Sequence, residues 1–272
     1  MAETQSDIEY FQDYTGQQNW AAGLHGYYKQ HHQSRIRINY TYYNSYELFA
    51  RIVQWYEKID PGGILFDYSV IDDGSQIAPI TNFIDDIPEQ WDILRIDEDL
   101  GWNNEGAKNC LMRHTTNRWN LNLDSDWVVT TNNLMRIFQV IHNLNPAVMY
   151  YPGNFGYGVG RNSYLITYDE YWKRGGYDQC FVGYHGNDYS MHRFGKEYNH
   201  SDFFRFARIA EDVMDPDDKD RLNEIKKFHS HMKMLEEAGY GYRNKEDLQD
   251  FVWTNEKERK KRWKSIEYQQ VR

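Results

Sequence analysis

Between residue 35 and about residue 150 the hydrophobic pattern switches repeatedly between a period of two and a period of 3.6 residues. "RIRINYTYYN" (35–44) alternates Ile36 and Ile38 with polar residues and ends at Asn44, which reads as a strand running into a turn. "SYELFARIVQWYEK" (45–58) places Leu48, Phe49, Ile52, Val53 and Tyr56 on one helical face behind Ser45, a suitable N-cap. Asp60, Pro61, Gly62 and Gly63 break that helix, and "ILFDYSVIDDGS" (64–75) is a second strand delivering Asp72 and Asp73 to a Gly74-Ser75 turn. "WDILRID" (91–97) is a third strand, residues 103–118 are helical, and "WNLNLDSDWVV" (119–129) is a fourth strand. Strands that alternate with helices pair in parallel through crossovers, so the pattern predicts an α/β fold with a mostly parallel central sheet flanked by helices. Ligands of such sheets bind beyond the carboxyl ends of the strands, where Thr41, Asp73 and Asp124 fall.

The rest of the chain is less periodic. Residues 1–34 read as an N-terminal extension, polar and aromatic. Residues 132–145 form an amphipathic helix closed by Pro146, "AVMYY" is a strand, and "PGNFGYGVG" (152–160), with four glycines, is a loop that connects strands or closes over a ligand. From 201 to 272 the composition becomes charged and helical, which predicts an α-helical C-terminal appendage. Its end, "EKERKKRWK", carries Lys257, Arg259, Lys260, Lys261, Arg262 and Lys264, a solvated helix face or a peripheral contact with an anionic membrane surface.

A chain of 272 residues buries a sizeable core without disulfides, and Cys110 and Cys180 are too few for a zinc site or a framework. A formal charge of −10, from 31 basic and 41 acidic residues, argues against nucleic acid as a partner. The N-terminus has neither a basic nor an apolar signal region, and no stretch reaches the roughly 18 apolar residues of a membrane span. These features predict a soluble, cytoplasmic protein.

Three stretches carry chemistry. Asp124-Ser125-Asp126 sets two carboxylates at i and i+2 on one face of a strand end, an all-oxygen set that suits Mg²⁺ or Mn²⁺ bridged to phosphates. Alone the pattern is common in acidic chains. "SVIDDGS" ends a buried strand in acids able to accept a nucleobase N–H, or is an ordinary strand-to-turn junction. "RGGYDQCFVGYHGNDYSMHRF" (174–194) carries Asp178, Asn187 and Asp188 in a glycine-rich segment able to approach a substrate closely, with Asp188 also suited to a helix N-terminus. Trp102, in "LGWNNEG", suits stacking on a sugar or anchoring a core.

Taken in order, "TYYN", "VIDDGS", "NNEGAKN", "LDSD", "GGYD" and "GYHGND...HR" resemble the family-2-like glycosyltransferases of GT-A fold. The likeness covers about residues 35–195. Motifs in this order are specific where any one is not. It implies a GT-A catalytic domain over 35–200, with a nucleotide-binding half at 35–130 and an acceptor half at 131–200. The resemblance places Thr41 and Tyr43 against the nucleoside, Asp73 on the uracil, Lys108 at the diphosphate, Asp124 on the ribose or the metal, and Asp126 on Mn²⁺ or Mg²⁺. Asp188 matches the general base and Arg193 the arginine that closes the motif; Trp102, Asp178 and Asn187 are candidate acceptor contacts. Lys108 replaces the family's Arg, so its contact is a point charge rather than a fork. Asn187 replaces a Glu, and Thr41 stands where Pro is usual. A third metal ligand among His192, His229 and His231 has no assigned place.

The implied activity is metal-dependent transfer of a sugar from a nucleotide sugar, a UDP-sugar, to an acceptor hydroxyl, with inversion by single displacement. A nucleotidylyltransferase would need a Gly-rich loop where "TYYNSYE" stands. The rival from another class is a non-catalytic module that binds a saccharide or partner on the same fold.

Overall fold

The computed structural model describes residues 35–99, 103–153, 162–174, 176–177, 198–200, 203–209 and 267–272. Strand β1 (Ile36–Tyr42) is the centre of the sheet and is buried along its whole length. It pairs in parallel with β2 (Phe66–Asp72) on one side and β4 (Trp119–Leu123) on the other, and β2 pairs in parallel with β3 (Trp91–Ile96). The eight-stranded sheet runs β10-β3-β2-β1-β4-β7-β6-β8, where β6 is Met149–Tyr151, β7 Tyr164–Thr167, β8 Tyr198–His200 and β10 Tyr268–Gln270. Strands β10 and β7 are antiparallel to their neighbours, whereas β6 and β8 are parallel to each other. The architecture is thus the expected mixed, mostly parallel α/β sheet.

Because Cβ atoms alternate along a strand, β1 presents two unlike faces. Ile36, Ile38, Tyr40 and Tyr42 join the main apolar core with helix α1 (Tyr46–Ile59), which buries Leu48, Phe49, Ile52, Val53 and Tyr56 as its periodicity predicts. Trp91 lies at the middle of this core, stacked on Tyr68 at 4.9 Å between ring centroids and edge-on to Phe49 at 5.3 Å. The Tyr40 and Tyr56 hydroxyls bond each other at 2.9 Å, so neither phenol is buried without a partner. Asp60 ends α1 and accepts the Leu65 and Phe66 amides and the Tyr68 hydroxyl, which ties the helix end to the start of β2.

The other face of β1, with Arg37, Asn39 and Thr41, is equally buried but polar. Asn39 Nδ2 donates to the Asn120 and Asn122 side chains at 3.3 and 3.2 Å, Ser69 Oγ donates to Asn39 Oδ1 at 2.5 Å, and Thr115 Oγ1 donates to Asn120 at 3.0 Å. Helix α2 (Asn104–His114) covers this layer through Met112 and packs Ala107, Cys110 and Leu111 against Ile71, Leu94 and Ile96.

Three expectations change. Residues 119–129 are not one strand: β4 ends at Leu123, the Trp127 amide donates to the Asp124 carbonyl at 3.1 Å, and the chain turns into β5 (Trp127–Val129). Strand β5 pairs with β9 (Phe206–Arg208) in a separate two-stranded sheet. Asp carboxylates and Ser hydroxyls compete for backbone hydrogen bonds and favour turns over strand interiors. Within 201–272, the region expected to be α-helical, the stretches described at 203–209 and 267–272 carry strands instead. Apolar Phe206 feeds the β5 edge and Val271 the core, so pairing and burial decide these segments despite their charged surroundings. Helix α3 (Thr131–Val140) continues as a 3₁₀ turn over Ile141–Asn143, in place of a single helix to 145. Helix α4 (Tyr168–Lys173), after β7, has no counterpart in the expectations from periodicity. Among the described residues no helix is long and apolar enough to cross a membrane.

Candidate functional site

The carboxyl ends of β1, β2 and β4 lie side by side, in the register Tyr42↔Asp72 and Tyr40↔Leu123. Thr41, Asp73 and Asp124 therefore meet at one edge of the sheet, as the strand-end pattern predicts.

Asp73 is 2% exposed. Its Oδ2 accepts the Asn103 amide at 2.6 Å. Its Oδ1 is buried with no hydrogen-bond partner among the described residues. Burial pushes the carboxyl well above the usual range for an acid; the Asn103 amide opposes the shift, while Glu105, Asp72 and Asp99 reinforce it. Gly74, at φ +74°, carries the chain out of this corner, where a Cβ would stand 2.7 Å from the Glu98 carbonyl oxygen. The neighbouring Asp72 is structural, because its carboxylate accepts the Ser75 and Ile80 amides and pairs with Arg95. The two adjacent acids therefore divide, one bound into the turn and one holding an oxygen in reserve.

Asn103 is the N-cap of α2 and accepts the Gly106 amide at 3.0 Å. Its Nδ2, also buried, has no partner among the described residues. Thr41 donates its hydroxyl to Asn104 Oδ1 on the same helix, and Tyr43 donates to Asp99 at 3.3 Å. Burial and the Asp99 carboxylate raise the Tyr43 phenol further above its ordinary range.

At the end of β4, Asp124 takes the Lys108 ammonium at 3.0 Å. Lys108 also donates to the Asn162 carbonyl at 2.8 Å and its side chain is 1% exposed, so two of its three donors are committed. The Asp124 amide donates to Ser163 Oγ at 3.0 Å, fixing the turn against the start of β7. Asp126 faces Arg208 across an Nε–Oδ2 gap of 3.6 Å, and its carbonyl accepts the Ile209 amide at 2.8 Å. The Asp124 and Asp126 side chains are 25% and 22% exposed. Among the described residues no group of three or more His, Cys, Asp or Glu could hold a metal. The oxygen donors of Asp124 and Asp126 are of the type that a hard divalent cation would take, although each carboxylate faces a side-chain cation here.

Asp188, Asp178, Asn187, Trp102, Arg193, His192, His229 and His231 lie outside the described residues. Sequence patterns do not single out Arg208 or Asn162, and Asn103 and Asn109 fall inside "NNEGAKN" without a role of their own. For Asn103 a signal exists, since an Asn immediately before a helical run is a cap pattern. A lone Arg in "FFRFARI" offers none.

No protein-family model matches the chain, and no curated protein matches it in sequence. Solved structures do resemble it. GalNAc-T7, crystallised with UDP, GalNAc and Mn²⁺, superposes with a TM-score of 0.56 at 13% identity, over 87% of this chain and 57% of that one. The mannosyltransferase PcManGT from Pyrobaculum calidifontis, in complex with GDP-Man and Mn²⁺, gives 0.53 at 13% identity, over 82% of this chain and 71% of that one. The chain thus spans little more than half the length of GalNAc-T7. Its fold is that of the GT-A glycosyltransferases.

Proposed function

We propose that this chain transfers a sugar from a UDP-sugar to an acceptor hydroxyl, with a divalent cation, Mn²⁺ or Mg²⁺, held at Asp124 and Asp126. The observation that carries the reading is the convergence, at one sheet edge, of a buried acid, Asp73, whose Oδ1 has no partner among the described residues, and a partly exposed acidic turn. An Asp73 carboxylate oxygen is complementary to the ring N–H of uracil, and Asn103 Nδ2, which has no partner among the described residues, to a ring carbonyl beside it. Thr41 and Tyr43 border the nucleoside. Both structural neighbours were solved with a nucleotide or nucleotide sugar and Mn²⁺.

The bound cation would supply charge neutralisation as the nucleoside diphosphate departs. Lys108 holds Asp124 in place and adds positive charge beneath the turn. Asp188 removes the proton of the acceptor hydroxyl as its oxygen attacks the anomeric carbon from the face opposite the leaving group, giving inversion. Trp102, Asp178 and Asn187 are the candidate acceptor contacts in this scheme.

The test is a screen of nucleotide sugars for Mn²⁺-dependent hydrolysis, paired with calorimetric titration of UDP. Mn²⁺-dependent UDP binding with turnover of one donor is the expected result. Saccharide binding indifferent to both metal and nucleotide would instead identify a binding module.

A further inference from the structure

The two acids of the turn are paired with cations of unlike character. Lys108 is buried, 3.0 Å from Asp124 and doubly bonded, so moving it would leave a charge unpaired in the interior. Arg208 is 41% exposed and stands 3.6 Å from Asp126, beyond hydrogen-bond length. Its backbone is nevertheless fixed at the turn: Arg208 is paired with Trp127 in the β5–β9 ladder, and the next amide, from Ile209, bonds the Asp126 carbonyl. The guanidinium carbon lies 5.8 Å from the Trp127 ring centroid, a face along which the side chain can turn. A rigid strand thus carries a solvent-exposed cation beside the second carboxylate of the turn.

We propose that Arg208 is a displaceable counter-ion: it pairs with Asp126 while the turn carries no divalent cation, and it binds a phosphate oxygen of the nucleoside diphosphate once a cation has taken that carboxylate. The proposal rests on the nucleotide-sugar reading above. Two positive groups on one carboxylate repel each other over a few ångströms, and the singly charged, solvent-facing one yields. A guanidinium then matches the planar, two-oxygen edge of a phosphate, an interaction that the ammonium of Lys108 cannot make as a fork. Arginine in this role restores the forked contact that the lysine at position 108 forgoes, from a different strand.

The experiment measures Mn²⁺ binding in the absence of nucleotide, and UDP and uridine binding at saturating Mn²⁺, for the wild type, Arg208→Gln and Arg208→Lys. Arg208→Gln is expected to tighten Mn²⁺ binding about threefold, the scale of a lost exposed ion pair. It is expected to weaken UDP binding about tenfold or more and to leave uridine unchanged, with Arg208→Lys intermediate for UDP. Changes within twofold for both ligands, or weakening of both together, would overturn the proposal, the second because it marks a merely structural arginine. A folded wild type that binds neither Mn²⁺ nor UDP would refute the glycosyltransferase reading itself, an outcome separable from the behaviour of the variants.

Discussion

The side-chain amide of Asn109, on α2, makes both backbone hydrogen bonds of Tyr177: Nδ2 donates to the Tyr177 carbonyl at 2.9 Å and Oδ1 accepts its amide at 3.0 Å. Oδ1 also accepts the Tyr171 hydroxyl at 2.7 Å. The Tyr177 hydroxyl in turn donates to Asn162 Oδ1, and the Asn162 carbonyl holds Lys108 beneath Asp124. One continuous run of hydrogen bonds therefore joins the acidic turn to the "GGYD" segment. Asn109→Ala removes three buried bonds and is expected to cost about 2–4 kcal/mol of stability. A denaturant titration measures that loss. Acceptor KM should rise while UDP affinity stays within a few-fold, because the side-chain bonds of Asn109 among the described residues go to Tyr171 and Tyr177 and reach Lys108 only through Asn162.

Nucleotide binding should release a proton through Asp73. Burial raises the folded carboxyl, and a ligand N–H donated to Oδ1 favours the charged form, so binding lowers the raised value. Affinity is then expected to fall as pH drops through the raised value and to level off above it. Calorimetry in buffers of differing ionisation enthalpy reads the proton directly, and Asp73→Asn should abolish both the release and the pH dependence. The same raised value means that ionised Asp73 costs the empty protein stability. Its favourable contribution is fully present below the unfolded value of about 3.9 and is lost as pH rises through the folded one.

Asp126→Ala should remove metal-dependent transfer, and Asp188→Ala should lower kcat by about two to four orders of magnitude with donor binding retained. Full activity in either variant would withdraw that residue's role. Equilibrium dialysis of Mn²⁺ separates the two, since only the first is expected to lose the ion.

Gly74→Ala forces a side chain to φ +74° and against the Glu98 carbonyl. The expected cost is about 1–3 kcal/mol. UDP affinity should fall in parallel, since Asp73 is the preceding residue; thermal melts and UDP titration report the two effects.

The strand–helix–strand core is legible in the sequence because Ile36, Ile38, Leu48, Phe49, Ile52 and Val53 follow simple periods whose apolar faces are the ones buried. The meeting of Thr41, Asp73 and Asp124 follows from sheet topology alone. The polar layer is not legible. Asn39, Asn120 and Asn122 alternate as a solvated face would, yet each is buried because α2 covers it and they satisfy one another. Helix α2 is legible as a helix at 103–118, but its burial nearly all round, including Glu105 and Lys108, is not, because it lacks a single apolar stripe. The turn at 124–126 reads as strand since Leu121, Leu123, Trp127 and Val129 keep a suitable alternation across it. Arg208 becomes visible only through the β5–β9 ladder, which no local pattern announces.

Strand β10 has a consequence for the order in which the molecule is made. Its Gln269 bonds Asp97, a partner 172 residues away, and residues 268–270 pair along β3 from Ile96 to Leu94. Until the ribosome has released residues 267–272, the amides and carbonyls on that side of β3 have no strand to meet. The nascent domain therefore carries an open edge throughout synthesis of the intervening chain, the template on which chains pair with one another. Non-local closure of this kind is slow. Residues 267–272, far in sequence from Asp73 and the acidic turn, thus replace the six-residue edge of β3 with a three-residue one, β10, and a short edge is the poorer template for aggregation.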